Sequence, residues 1–150
     1  MIIRTIFILT MAFTISCSQQ GNSPAAPDMK AEEVVSIVER SINARQLNEL
    51  NPYFSKDAKI YEQGSIDESW EAYRDGHLGH EIEAFESFNI DFQVNESFTK
   101  EKMAFVRGFY DLQAIMKGDS ISSKGLVTFA MTAEEANWKI IHLQFSRGCK

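Results

Sequence analysis

Residues 61–85, YEQGSIDESWEAYRDGHLGHEIEAF, decide how the chain is organised, because they hold most of its polar and aromatic side chains of chemical interest. Asp67 or Ser69 can accept amide hydrogens at the start of a helix. Gly76 and Gly79 lower the helix propensity, so we expect the helix to bend or pause there. The stretch therefore predicts a strand end, a tight turn and a helix that faces a sheet.

Aromatic and titratable side chains share one face of this predicted helix. At helical spacing that face presents Trp70, Tyr73, His77 and either His80 or Glu81. Large aromatic side chains in such a pattern belong to a hydrophobic core more often than to a pocket wall, although in a cone they can serve both. The residues that we expect to line a ligand pocket are Tyr61, Trp70, Tyr73, Arg107 and Trp138.

The titratable residues are compatible with two kinds of chemistry. A carboxylate desolvated by aromatic rings can exchange a proton with a substrate, with an imidazole as its partner. The predicted catalytic residues are Glu62, His77, Glu81 and His142. A metal site is less favoured, because His77 and His80 are three residues apart, whereas zinc helices carry two histidines four apart. We predict no metal and no cofactor, and a buried polar network remains the alternative to a site.

The helical segments precede the strands along the chain. Asp28 is the predicted N-cap of a first amphipathic helix that ends near Gln46. Its apolar side chains recur at helical spacing: Val34, Val35, Val38 and Ile42. Pro52 limits a second, shorter segment, and a short strand is predicted at residues 58–62.

Residues 88–147 change to the two-residue period of β-strands. After a first alternating segment, long strands are predicted over residues 103–116, 126–132 and 138–147. Gly108 is a natural bulge or bend, and simple alternation places Trp138 and His142 on the same face of the last strand. The order of helices followed by antiparallel strands predicts an α+β fold. A curved antiparallel sheet wrapped by N-terminal helices would form a cone with an inner pocket.

Residues 1–16 are predicted to be a signal peptide. A positively charged start precedes an apolar run at residues 6–15, which is too short to span a bilayer as a helix. The run ends at Ser16 and Cys17, and this end resembles the lipobox of bacterial lipoproteins, although Thr14 replaces the usual leucine. The resemblance implies that Cys17 is lipidated and becomes the new N-terminus.

Residues 17–28 are polar and contain two prolines and a glycine, so they are predicted to be a flexible tether. The domain would then occupy residues 29–150. Ser18 stands where enteric lipoproteins retained at the inner membrane carry aspartate, and this predicts a position in the cell envelope at the outer membrane, facing the periplasm. Cys149 would remain unpaired near the chain end.

Length and charge limit the remaining possibilities. A chain of 150 residues fits a single domain. Its formal net charge is −6, and it has no basic stripe of the kind that binds nucleic acid. We therefore expect a small-molecule ligand and a membrane contact through the lipid anchor, and no nucleic acid partner.

Several short pieces occur in an order that is more specific than any one of them. They are Glu62-Gln63-Gly64, Trp70 with Tyr73, His77-Leu78 with Glu81, Gly125 with Thr128-Phe129, and Trp138-Lys139-Ile140-Ile141-His142. Over residues 31–147 this order resembles the SnoaL-like branch of the nuclear transport factor 2-like superfamily. Two positions depart from the pattern, because Asn137 replaces a glycine and Gln144 replaces a histidine frequent in relatives.

The resemblance implies the same cone-shaped, cystatin-like fold and, frequently, a homodimer that forms through the open sheet face. The superfamily includes cyclases, ketosteroid isomerases, dehydratases and modules that only bind or assemble, so the fold does not select the function. Our leading hypothesis is a lipid-anchored domain that binds a small, largely apolar ligand. The alternatives are a cofactor-independent isomerase, cyclase or dehydratase, and an assembly module without a ligand.

Overall fold

The computed structural model describes residues 27–147, so the predicted signal peptide and Cys17 lie outside the described residues. The helical elements are α1 (Ala31–Asn43), a 3-10 helix (Leu47–Tyr53), α2 (Trp70–Ala72), a π-helical turn (Tyr73–His77) and α3 (Leu78–Ala84). The strands are β1 (Phe54–Glu62), β2 (Ser65–Asp67), β3 (Ser87–Lys100), β4 (Met103–Met116), β5 (Asp119–Glu134) and β6 (Asn137–Arg147). None of the helices in this part of the chain has the length and hydropathy needed to cross a bilayer.

The strands form one six-stranded sheet in the order β2-β1-β6-β5-β4-β3. Neighbouring strands are antiparallel except β1 and β6, which pair in parallel. The α+β fold and the curved sheet are confirmed, while the sheet is mixed rather than wholly antiparallel. The parallel pair arises because the helices α2 and α3, and then β3, β4 and β5, separate β1 from β6 along the chain.

The long strands agree with the sequence pattern. β4 has the predicted bounds, and β5 is longer than predicted. The register between β3 and β4 shifts between Val94 and Glu96, opposite Gly108. A side chain at Gly108 would collide with the carbonyl oxygen of Gln93. The close approach of the two strand backbones at this point therefore requires glycine.

Helix α1 packs against β3 and β4 and covers the inner face of the sheet. It begins at Ala31 with Lys30 as N-cap, so the prediction that Asp28 caps it is wrong. Its valines Val34 and Val38 are fully buried. The opposite face of the helix is polar, as the amphipathic pattern predicts.

Polar side chains of α1 also bind the free edge of β3. The side-chain amide of Asn43 donates to the carbonyl oxygen of Ile90 at 2.7 Å, and its oxygen accepts from the amide of Ile90 at 2.8 Å. The Oε2 atom of Glu39 accepts from the backbone N–H of Phe92 at 2.7 Å. Edge groups that would otherwise be unpaired are thus satisfied by the helix that wraps the cone.

The helix α1 ends at a left-handed residue that joins it to α3. Arg45 has a φ of 59°, and its guanidinium donates to the carbonyl oxygens of Ile82 and Phe85 at 2.9 and 2.8 Å. Those carbonyls lie at the C-terminal end of α3, where a cation is favoured. Arg45 therefore fixes α3 relative to α1.

A bulge in β6 reverses the predicted orientation of its second half. The register between β5 and β6 shifts between Ala130 and Met131, which leaves Ile141 unpaired. Ile140 and Leu143 are both buried on the inner face, so His142 lies on the outer face. The prediction that His142 shares a face with Trp138 is therefore wrong.

The outer face of β3, β4 and β5 carries an apolar patch. Its members are Phe98, Met103, Phe105, Phe109 and Leu126, with exposed fractions from 42% to 60%. Phe98 and Phe105 lie opposite each other on neighbouring strands, and so do Phe109 and Leu126. We call this set of five side chains the outer patch.

Candidate functional site

The candidate site lies where β1 ends and the second helical segment begins. Glu62 is the last residue of β1, and Asp67 is the last residue of β2, which returns antiparallel to it. Ser69 then caps α2, since its hydroxyl accepts the backbone N–H of Ala72 at 3.1 Å. One of the two predicted caps is thus confirmed, and Asp67 is free for another role.

The predicted pause in the helix is a π-helical turn at Tyr73–His77. The backbone N–H of Leu78 donates to the carbonyl oxygen of Tyr73, five residues earlier. Gly79 makes this turn possible, because a side chain there would collide with the carbonyl oxygen of Arg74. Such turns are frequent at functional sites, and this one presents Tyr73 and His77 towards the end of β1.

Four side chains meet around the imidazole of His77. The hydroxyl of Tyr73 donates to Oε2 of Glu62 at 2.8 Å. The Nδ1 atom of His77 lies 3.2 Å from Oδ2 of Asp67, and Nε2 lies 3.5 Å from Oε1 of Glu81. We call Glu62, Asp67, Tyr73, His77 and Glu81 the His77 cluster.

The His77 cluster is only partly covered by protein. Tyr73 is buried, whereas the side chains of His77 and Glu81 are 26% and 37% exposed. Its tyrosine ring contacts the ring of His77 edge to face at 5.5 Å and that of Trp70 at 6.2 Å. One wall of the cluster is thus aromatic, and its titratable groups can meet a molecule from solvent.

Burial and neighbouring charges shift the pKa values of three side chains in the cluster. Burial, and next the charge of Glu62, raise the pKa of Tyr73 well above its ordinary value, so the phenol stays protonated. Partial burial lowers the pKa of His77, but the hydrogen bond to Asp67 and the nearby carboxylates outweigh it and leave the pKa raised. Burial and the charge of Glu62 raise the pKa of Glu81, against the opposing effect of His77.

The structure brings together three of the four predicted catalytic residues, namely Glu62, His77 and Glu81. His142 is separate, since the bulge in β6 turns it to the outer face, where its ring lies 4.9 Å from that of Tyr61. Neither His142 nor Tyr61 faces the His77 cluster. The predicted placement of both residues in the pocket is therefore wrong.

The other predicted pocket residues have different surroundings. Trp70 stacks on Phe54 at 4.0 Å within the core, and its Nε1 donates to the side chain of Asn51. Trp138 is buried at the opposite end of β6 from the strand pair that holds Glu62, and its Nε1 donates to the carbonyl oxygen of Met29. Arg107 lies on the outer face in an ion pair with Glu96. Of the five residues, only Tyr73 belongs to the cluster, and Trp70 contacts it through the ring of Tyr73.

Sequence reasoning missed the role of Asp67 and gave His80 too much weight. Asp67 was a candidate cap, and only the return of β2 alongside β1 brings it to His77. His80 instead lines a polar cavity of about 390 Å³ with Arg45, Arg74 and other residues of the helical layer. The five-residue π turn explains the separation, because it changes which positions of the helix share a face.

Comparisons with known proteins identify the fold. No model of a protein family matches the chain, and no curated protein matches its sequence. A candidate ketosteroid isomerase from Shewanella frigidimarina is similar in structure, with a TM-score of 0.69, 21% identity, and coverage of 79% of this chain and 96% of that one.

Two further solved structures agree. A nuclear transport factor 2-like superfamily protein from Salmonella enterica has a TM-score of 0.71 at 14% identity, covering 79% of this chain and 88% of the other. A candidate scytalone dehydratase from Novosphingobium aromaticivorans has a TM-score of 0.67 at 15% identity, covering 79% and 81%. The chain therefore has the nuclear transport factor 2-like cone fold, as the sequence predicts.

The π turn can be tested with two glycines of the same helical segment. We expect Gly79→Ala to lower the free energy of unfolding by about 1–3 kcal/mol, because the new methyl group meets a backbone carbonyl that cannot move aside. Gly76→Ala should be neutral or stabilising by up to about 1 kcal/mol, since nothing lies within 4 Å of its new atom. Urea unfolding followed by circular dichroism measures both, and equal effects would contradict the π geometry.

Proposed function

We propose that this domain binds a small, largely apolar molecule in its cone and holds the polar end of that molecule at the His77 cluster. The observation that carries the proposal is the convergence of Glu62, His77 and Glu81, which are partly exposed beside an aromatic wall. A ligand pocket in proteins typically combines an apolar lining with a few such polar groups. The SnoaL-like branch is the part of the superfamily to which we assign it.

The apolar side of the proposed site comes from the sheet. Glu62 pairs with Phe145 of β6, whose ring packs against those of Tyr110 and Phe92 at 5.4 and 6.2 Å. These rings belong to the inner face, on which the helices lie. The polar cluster thus lies at one end of an aromatic interior whose rings pack against one another, and the apolar part of a ligand would contact that end.

The charge of the cluster limits the ligand further. Three carboxylates surround one imidazole, and in the described part of the chain none of the three forms an ion pair with lysine or arginine. An anionic group would be repelled from such a site. We therefore expect the polar end of the ligand to be neutral or positively charged.

A second candidate is an isomerase, cyclase or dehydratase that uses the same residues for acid–base chemistry. The placement of two carboxylates and an imidazole around one point favours it, because proton transfer needs both a donor and an acceptor within reach of the substrate. Two proteins of similar fold are named as a candidate ketosteroid isomerase and a candidate scytalone dehydratase.

Native mass spectrometry of the protein, purified from its own cells, tests ligand binding. We expect a bound molecule of small mass, lost on denaturation, whose occupancy falls at least severalfold in Tyr73→Phe, because Glu62 then loses its hydrogen bond. Tyr53→Phe is the matched control, as Tyr53 lies outside the cluster. A spectrum with no adduct, or equal occupancy in both variants, would contradict the proposal.

Once the bound molecule is identified, a test of whether the protein changes it distinguishes catalysis from binding alone. An enzyme would exchange protons of that molecule with D2O or convert it, as followed by NMR, and Glu81→Gln would slow the change by at least about tenfold. A binding protein would return the molecule unchanged in both cases.

We also propose that the domain is anchored to the outer membrane, facing the periplasm, through lipid on Cys17. The support is the apolar run at residues 6–15, which ends at Ser16 and Cys17 and is followed at once by a polar tether. Several acyl chains on one residue would hold the protein stably at a bilayer.

Replacement of the anchor cysteine tests this location. We expect Cys17→Ser to abolish labelling with a radioactive fatty acid and to remove the protein from the outer-membrane fraction. Cys149→Ser should leave both unchanged, because that thiol is not in a lipobox. Labelling that survives Cys17→Ser would overturn the proposal.

We further propose a homodimer through the outer patch. Its five exposed apolar side chains surround the ion pair of Glu96 and Arg107, so a two-fold related copy can cover the apolar groups and also exchange charged partners. If the chain were an assembly module without a ligand, the same face would serve it.

Analytical ultracentrifugation tests the dimer. We expect a dimer for the native protein and a monomer for Phe109→Asp, because a carboxylate within the patch would be buried without a partner. Ile66→Asp is the control, since Ile66 is 51% exposed but lies on β2, at the other edge of the sheet. A monomeric native protein would refute this proposal.

A further inference from the structure

Three side chains of the His77 cluster are placed like the ligands of a metal ion. One ligand atom each from Glu62, His77 and Glu81 lies within 4.8 Å of the others. The 3.5 Å between Nε2 of His77 and Oε1 of Glu81 is long for a hydrogen bond. It is close to the separation of about 3.4 Å between two ligands of a tetrahedral ion with bonds of about 2.1 Å.

The second nitrogen of His77 is held in the manner of a metal ligand. A proton on Nδ1 can be donated to Asp67 at 3.2 Å, and a neutral imidazole then has its lone pair on Nε2. Nε2 lies 3.5 Å from Oε1 of Glu81, and an ionised carboxylate cannot donate to that lone pair. A histidine ligand typically has such a carboxylate behind it, which orients the ring.

The fold positions Glu62 and His77 without supplying a compensating cation. Glu62 is fixed by the hydroxyl of the buried Tyr73, and His77 belongs to the π turn that Gly79 permits. The arginine and lysine ion pairs of the described chain use other carboxylates. An ion that bound here would meet two ligands already held by other contacts, which lowers the ordering that its binding requires.

We propose that Glu62, Nε2 of His77 and Glu81 bind one divalent transition-metal ion, with Asp67 as the residue that positions the imidazole. The proposal rests on the proposed small-molecule site and deepens it, because an ion that receives the polar end of the ligand restricts that end to the neutral lone-pair donors among the groups expected above. One nitrogen and two carboxylate ligands suit ions such as Zn²⁺, Mn²⁺, Fe²⁺ or Co²⁺. Three protein ligands leave at least one position of a four-coordinate ion for that molecule.

Equilibrium dialysis against ZnCl2 or CoCl2, with elemental analysis of the protein, tests the site. The full chain is used in detergent, with Cys17 and Cys149 replaced by serine so that no thiol competes for the metal. We expect one ion per chain, and His77→Gln or Glu62→Gln should weaken binding by about tenfold or more. Asp67→Asn should weaken it by about 10-fold or more while one ion per chain still binds at saturation.

His80→Gln is the matched control, because His80 lies three residues away in the same helical segment but outside the cluster. It should bind the ion as the parent does. Circular dichroism without metal verifies that each variant is folded, and Glu81→Gln provides a second, nearly isosteric loss of a ligand. Absence of binding by the parent, or binding that His77→Gln and Glu62→Gln leave unchanged, would overturn the proposal.

The metal proposal and the small-molecule proposal can be refuted separately. Dialysis uses the metal alone, so it gives a result whether or not an organic ligand exists. Native mass spectrometry of protein that has not been treated with a chelator detects the organic molecule by its mass, whether or not an ion is also bound. A parent that binds the molecule but no ion would remove the metal proposal and leave the proposed function in place.

Discussion

The arrangement of the cone depends on the hydrogen bonds that α1 makes to the free edge of β3. Asn43 satisfies both the N–H and the carbonyl of Ile90, and Glu39 satisfies the N–H of Phe92. Each such bond contributes only about 0.5–1.5 kcal/mol net, but an unpaired edge would cost more and would invite pairing with another chain. The same helix buries its valines on the inner face of the sheet. The hydrogen bonds therefore fix the orientation of α1 along the edge of β3, and the apolar contacts fix how closely it packs on the sheet.

The position of the site follows from that contact. The chain leaves α1 through Arg45, whose guanidinium binds the last carbonyls of α3, so the two helices keep a fixed separation. The π turn precedes α3 directly and therefore meets the end of β1 at a defined place. A local irregularity in the helix is tolerated here because the groups at both of its ends are already held by other elements.

The sequence predicts the elements better than their irregularities. Strand β4 has the bounds that the sequence predicts, and Gly64 and Gly118 mark turns whose positive φ angles glycine allows. The bulge at Ile141 has no such signal, since no glycine marks it, and one extra residue is enough to move His142 to the other face. Asp67 was missed for another reason: its contact with His77 depends on a three-residue strand that the pattern does not predict.

The His77 cluster differs from the rest of the fold in how its carboxylates are paired with cations. Elsewhere the carboxylates of Asp111 and Glu96 have a lysine or an arginine beside them, as stability favours. At His77 three carboxylates converge on a single imidazole, and their repulsion raises the free energy of the folded chain. A cation or hydrogen-bond donor that entered the cluster would relieve this repulsion, so the repulsion would become affinity for that group. The cost in stability and the proposed capacity to bind would therefore have one origin, the placement of Glu62 and Glu81 around one ring.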